Sequence, residues 1–172
     1  MWVFGYGSLM WDGWEKPRRC IRSAPALARG CARVFNKASI RNWGTQHRPC
    51  PTLNLVKSEH AECRGLAFEF PDSSTNEIIK YLEKREGRGF VLRRLEIELD
   101  TGEKVDAIVP IYEGNNLVRA EGLDQLAEMA LQASGQDGLC VNYVKRIRER
   151  LAALAIEDPA VDELWRALRQ AL

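Results

Sequence analysis

Histidine is scarce in this chain, and so is any excess of one charge. His47 and His60 are its only histidines, and no acidic cluster at ligand spacing accompanies them. That argues against a metal centre and suits two exposed loop residues. The 25 basic side chains nearly cancel the 24 acidic ones, and a net charge of +1 supplies no broad field for nucleic acid or an anionic membrane. Any charged partner has to be recognised locally. The five cysteines, Cys20, Cys31, Cys50, Cys63 and Cys140, are odd in number and lack C-x-x-C spacing. This argues against a disulfide framework or a zinc ribbon and reads as reduced thiols in a cytoplasmic protein. No apolar run approaches the length of a membrane span, and no basic segment followed by an apolar one opens the chain. Repeats, low-complexity tracts and Gly/Ser linkers are also missing, so residues 1–172 are expected to form one domain.

What is present suits a packed core: 45% of the residues are hydrophobic. Short strand-like pieces at Trp2 to Phe4, Leu27 to Phe35, Thr52 to Val56 and Gly65 to Phe70 are separated by Gly, Pro and Asn. Ser74 followed three residues later by Glu77 is a capping-box pattern, and Ile78, Ile79 and Leu82 begin a helical stripe expected to end at Gly87. Phe90 to Leu99 and Val105 to Tyr112 alternate at period two around Asp100-Thr101-Gly102-Glu103, which predicts a hairpin. Leu123, Leu126, Ala127, Ala130 and Leu131 share one helical face, closed at Gly135. A second helix is expected over Val141 to Leu154. A third starts at Asp158-Pro159, with Val161, Leu164, Trp165, Leu168 and Leu172 on its packed face. The sum is an α+β arrangement, a sheet or small barrel with helices gathered toward the end.

The stretch VFGYGSL, residues Val3, Phe4, Gly5, Tyr6, Gly7, Ser8 and Leu9, breaks a strand with two glycines. Without side chains there, backbone N–H groups can face a ligand and suit a carboxylate; a plain bulge is the alternative. Neither G-x-S-x-G nor G-K-[ST] occurs, which excludes a nucleophile elbow and a phosphate loop. Glu86 is expected at a helix C-terminus, where the macrodipole disfavours its charge and raises its pKa toward general-base use. Arg85 and Arg88 oppose that trend, and a solvated helix end is the plain reading. Residues 29–48 interleave Arg29, Arg33, Lys37, Arg41 and Arg48 with Phe35 and Trp43. With a neutral total and no fold motif, a cationic loop over a small anionic ligand fits better than a nucleic-acid surface. Solvated arginines on a strand edge remain the alternative. Tyr143 in CVNYVKRIRERL either packs or presents its hydroxyl to a cleft.

WVFGYGSLMW, ARVFNKASI, PTLNLV, ECRGLAFEF, YLEKREGRGF and NYVKRIRERL, in that order from Trp2 to about Leu168, resemble the ChaC-type γ-glutamylcyclotransferases. The resemblance implies a compact mixed β-barrel with flanking helices. It implies a lyase that uses no cofactor and no metal and acts on a small γ-glutamyl substrate, without nucleic-acid or membrane partners. It assigns Glu86 the catalytic role and residues Val3 to Leu9, with Tyr143, the binding of the γ-glutamyl group. Length, the W-V-F opening and Tyr143 point to the glutathione-specific branch, whose distal glycine carboxylate Arg33 or Arg41 could pair with. Glu86 followed directly by Gly87 resembles instead the branch acting on γ-glutamyl amino acids. A third alternative is a protein that binds a γ-glutamyl metabolite without turnover.

Overall fold

In the computed structural model, which describes residues 1–171, five strands close a barrel. They are β1 (Trp2–Gly5), β2 (Arg22–Ser39), β3 (Cys50–Glu69), β4 (Phe90–Leu99) and β5 (Lys104–Tyr112), ordered β1-β3-β2-β4-β5 around it. The helices among the described residues are α1 (Thr75–Glu86), α2 (Leu123–Gln132), α3 (Cys140–Ala153) and α4 (Pro159–Ala171), with a small ribbon of β6 (Ser134–Gly135) and β7 (Gly138–Leu139). The chain forms two compact units. One contains Met1–Arg33 and Leu55–Asn115; the other contains Val34–Asn54 and the chain from Asn116 onward. β2 and β3 supply residues to both.

In the first unit, β1 runs antiparallel to β3, from Trp2 opposite Glu69 to Gly5 opposite Leu66. Its other edge pairs in parallel with β5, Trp2 with Ala107 and Val3 with Ile108. The predicted hairpin is formed by β4 and β5, from Phe90 opposite Tyr112 to Glu98 opposite Lys104. Leu66, Phe68, Ile97, Leu99, Ala107 and Val109 are buried at alternate positions of β3, β4 and β5, while β1 is buried on both faces, Val3 and Phe4 alike. On β2 the same alternation buries Cys31 and Arg33 around half-exposed Ala32. Ile78 and Leu82 are fully buried on α1, each contributing about 1.5–3 kcal/mol by leaving water. Gly87, at φ +75°, ends α1 as expected, its N–H donating to the Glu83 carbonyl at 3.1 Å.

In the second unit, α3 buries Val144, Ile147 and Leu151, and α4 buries Val161, Leu164 and Leu168. Asp158 caps α4, its Oδ1 accepting from the Val161 N–H at 3.2 Å. Trp165 is only half-buried, and Leu172 lies outside the described residues.

Four expectations are corrected. The separate pieces at 27–35, 52–56 and 65–70 belong to two continuous strands of 18 and 20 residues. Gly30, at φ +69°, is tolerated inside β2, so punctuation there bends a strand rather than ending it. Ser74 does not cap α1 through its side chain: a 3-10 turn over Asp72–Ser74 leads into the helix and holds Ser74 in helical geometry. α2 ends at Gln132, and Gly135 lies in β6 because the close approach of the Asn42 carbonyl leaves no room for a Cβ. His60 is exposed on β3, not in a loop.

The cysteines are corrected too. Cys50 and Cys140 form a disulfide across 90 residues, with Cα atoms 5.6 Å apart, while Cys20, Cys31 and Cys63 are free. Burial raises the thiol pKa of Cys31, with Lys57 opposing, so Cys31 is a poor thiolate. The bond joins the first residue of β3 to the first residue of α3, a proximity that sequence spacing does not reveal.

Candidate active site

β1 ends where Gly5 meets Gly65. A Cβ on Gly65 would lie 2.4 Å from the Gly5 carbonyl oxygen and 2.9 Å from the Phe4 ring, so the two strands approach as closely as they do only with glycine at 65. Gly65→Ala is therefore expected to destabilise the fold by about 1–3 kcal/mol. Thermal and urea unfolding check this; an unchanged midpoint would mean that the Gly5 carbonyl can move aside at no cost.

Past Gly5 the chain turns into a single 3-10 turn, Ser8–Met10. The Met10 N–H donates to the Gly7 carbonyl at 3.0 Å and the Trp11 N–H to that of Ser8 at 3.3 Å. The Trp14 indole N–H donates to the Leu9 carbonyl at 3.0 Å. Val3, Phe4, Tyr6 and Leu9 all bury their side chains. What this segment can offer a ligand is therefore main chain and the Ser8 hydroxyl.

Two buried polar side chains brace it from behind. The Tyr6 hydroxyl donates to the Pro110 carbonyl at 2.7 Å, extending the β1–β5 seam beyond the main-chain pairing. Arg33, only 4% exposed, donates through Nε to the Tyr6 carbonyl at 2.8 Å and through Nη2 to the Arg64 carbonyl at 2.6 Å. Buried charge demands such partners, and carbonyl oxygens supply them here.

Glu86, the last residue of α1, has a side chain 14% exposed. Arg85 Nε donates to its Oε1 at 3.1 Å. The same guanidinium reaches across 77 residues of sequence to the Ser8 hydroxyl, Nη2 to Oγ at 3.2 Å. It also ion-pairs with Asp12 and donates to the Tyr81 hydroxyl at 3.2 Å. Burial works against the charge of Arg85; the bonds from Tyr81, Asp12 and Glu86 outweigh it and hold its pKa above the ordinary arginine value. Tyr81 is itself fixed, stacked on Trp14 at 5.6 Å with the Arg18 guanidinium 3.4 Å from its ring centroid.

Glu86 and the Gly5–Leu9 segment thus converge on one cation, with Arg33 behind the segment. Tyr143 lies in the second unit, buried on α3, with its hydroxyl accepting from the Leu53 N–H at 3.0 Å and its ring 5.5 Å from Trp43. The basic stretch is dispersed: Arg29 pairs with Glu98 at 3.0 Å and with Glu62, Arg41 donates to Gln136 at 3.3 Å, and Phe35 and Trp43 are buried. Sequence reasoning missed Asp12, Trp14 and Tyr81. The only hint was WDGW following the glycine motif, where a carboxylate between two tryptophans sits close to the turn. Among the described residues, no group of His, Cys, Asp and Glu is arranged to hold a metal ion, and no helix is long and apolar enough to cross a membrane.

The closed barrel with its helices is a fold shared with proteins of solved structure. A yeast γ-glutamylcyclotransferase specific to glutathione superposes with a TM-score of 0.87 over 99% of this chain and 96% of its own, at 20% identity, a likeness of fold. The model of the ChaC-like protein family matches residues 1–171, and the chain belongs to that family. Among curated relatives, γ-glutamylcyclotransferase 2-3 of Arabidopsis thaliana is 28% identical, covering 100% of this chain and 90% of its own length. The glutathione-specific γ-glutamylcyclotransferase of Escherichia coli K12 is 26% identical over 100% of this chain and 74% of its own.

Proposed function

We propose that this protein is a γ-glutamylcyclotransferase that converts glutathione into 5-oxoproline and Cys-Gly. The observation that carries the reading is the single Arg85 guanidinium held at 3.1 Å by Glu86 and at 3.2 Å by Ser8, so that a proton-accepting carboxylate and the glycine turn form one site. Membership of the ChaC-like family and the names of relatives from a plant and a bacterium support the same activity.

The chemistry fits these residue types. The substrate's α-amine attacks its own γ-carbonyl carbon; a C–N bond forms, closing a five-membered ring, and the amide bond to cysteine breaks. The α-ammonium must first lose a proton and the leaving nitrogen must gain one, so one carboxylate can carry that proton between them. Glu86 takes this role. Ring closure constrains a flexible glutamyl chain, and fixing its α-carboxylate supplies much of the orientation required. The Gly5–Leu9 segment takes that role with main-chain N–H groups at a place where the side chains turn inward. Tyr6 and Arg33 brace the segment through the backbone carbonyls they donate to.

The test is direct. Purified protein is incubated in parallel with glutathione, γ-glutamyl-alanine and γ-glutamyl-ε-lysine, and 5-oxoproline is followed by mass spectrometry. Release from glutathione with stoichiometric Cys-Gly is expected. Release from another substrate alone would keep the cyclisation chemistry and overturn the glutathione assignment, whereas tight binding without product would mean a binding protein.

A further inference from the structure

We infer that Arg85 is the positioning residue of this site: it fixes the orientation of the Glu86 carboxylate against the glycine turn and keeps it ionised for proton abstraction. The inference rests on the cyclotransferase reading above and concerns a residue that the chemistry does not by itself require. A cyclisation with one proton shuttle needs a carboxylate; it does not need a cation beside it.

The geometry sets Arg85 apart from the ion-paired surface arginines of the first unit. Its side chain is only 18% exposed, whereas those of Arg22, Arg29 and Arg93 are 47–58% exposed. It also uses every nitrogen of its fork. Nε faces Glu86, Nη1 serves both Asp12 and the Tyr81 hydroxyl, and Nη2 faces Ser8. A lysine ammonium on a flexible stem does not reproduce three divergent directions at once. Each partner is in turn restrained: Tyr81 by its stacking on Trp14, Asp12 by accepting from the Trp14 N–H at 3.3 Å, Ser8 by the 3-10 turn, and Glu86 by the last turn of α1. The guanidinium therefore acts as a rigid strut between the helix end and the strand end.

The charges around it give the sign. Asp12 shares the guanidinium from the turn after β1, and Arg18 lies over Tyr81. On β4, against which α1 packs, Arg93 and Arg94 are exposed, the first paired with Glu113 at 2.7 Å. Asp72, before α1, is exposed. Arg88, two residues after Glu86, is exposed, whereas Arg85 contacts Glu86 Oε1 directly, and a neighbouring positive charge favours the ionised carboxylate. Removing it takes that charge away from both Glu86 and Asp12. The carboxyl pKa of Glu86 then rises, and the base is lost at a higher pH as the solution is acidified.

The experiment combines two readouts on wild type, Arg85→Lys and Arg85→Ala. Side-chain carboxyl signals of 13C-glutamate-labelled protein are titrated by NMR, with Glu86 assigned from the signal missing in Glu86→Gln. In the same proteins kcat/KM for 5-oxoproline release is measured against pH. The expected result for Arg85→Ala is an upward move of the Glu86 midpoint by about 1–3 pH units, with the acid limb of kcat/KM moving with it. Arg85→Lys is expected to keep the limb near its wild-type position while lowering kcat, because it restores charge without the fork. A folded Arg85→Ala protein with an unmoved midpoint and limb overturns the inference. Should Arg85→Ala fail to fold, Arg85→Lys decides alone: wild-type kcat would refute the strut. Absence of turnover in the wild type would count against the cyclotransferase reading, while the NMR midpoint still decides whether Arg85 governs Glu86.

Discussion

Glu86→Gln is expected to lower kcat for 5-oxoproline release by about 10²–10⁴-fold, the usual range for removing a positioned acid–base group. That is about 3–5.5 kcal/mol of transition-state stabilisation. The substitution is informative because it changes little else. Glutamine keeps the length of the side chain and a carbonyl oxygen that can still accept from Arg85 Nε, now at 3.1 Å from a carboxylate. Arg85 also retains Asp12, so no buried cation is left alone. Stability should stay within about 0.5 kcal/mol of wild type, as for most substitutions outside the core. KM should change much less than kcat, since the glycine turn and not Glu86 is assigned the substrate's carboxylate. Steady-state kinetics with a thermal melt check the claim. Activity within tenfold of wild type in a folded variant would take Glu86 out of the proton transfer.

The second large effect concerns stability in the other unit. Removing the Cys50–Cys140 bond, by reduction or as Cys50→Ala/Cys140→Ala, is expected to cost about 2–4 kcal/mol. The chain-entropy argument for a loop of 90 residues gives a value near the top of the known range, roughly 4–5 kcal/mol. For a chain of this size, 2–4 kcal/mol lowers Tm by about 5–15 °C. The bond does not act alone. Three residues further along each element, the Leu53 N–H donates to the Tyr143 hydroxyl at 3.0 Å, so β3 and α3 are tied twice in register. Opening the first tie loads the second and loosens the ring of Tyr143, which packs 5.5 Å from Trp43. Thiol counting on the denatured, unreduced protein should find three free cysteines, and five would contradict the bond. Identical melting with and without reductant would show instead that the bond contributes nothing to stability.

The sequence was most informative where structure is local. The β4–β5 hairpin, α1 with its stop at Gly87, α3 and α4 were all legible within a residue or two, because periodicity and terminal residues act over one element. The barrel's long strands were not, since Pro25, Gly30 and several polar residues look like stops in β2 while its partner β4 comes from a distant segment. The two ends of the candidate site were legible separately, GYGSL as a broken strand and Glu86 as a helix-terminal carboxylate. Their meeting was not. Arg85 was noticed as the neighbour of Glu86, but nothing in a linear string reveals that its far nitrogen reaches Ser8. Arg33 was read as a cation that could pair with a ligand's carboxylate; its burial and its grip on the Tyr6 and Arg64 carbonyls were not legible, because a cation in a basic stretch carries no mark of burial. The Cys50–Cys140 pair was missed because its proximity, too, is set at long range.

Arg33 grips carbonyl oxygens of Tyr6 and Arg64, and every amino acid carries a carbonyl oxygen. Its partners are therefore positions, not identities. The side chain at 64 is exposed and can be exchanged without touching the brace, whereas position 33 has no substitute with the same reach and number of donors. Mutational tolerance across this contact is one-sided: a saturation library should accept nearly any residue at 64 and almost none at 33, although the two sit in the same hydrogen bond.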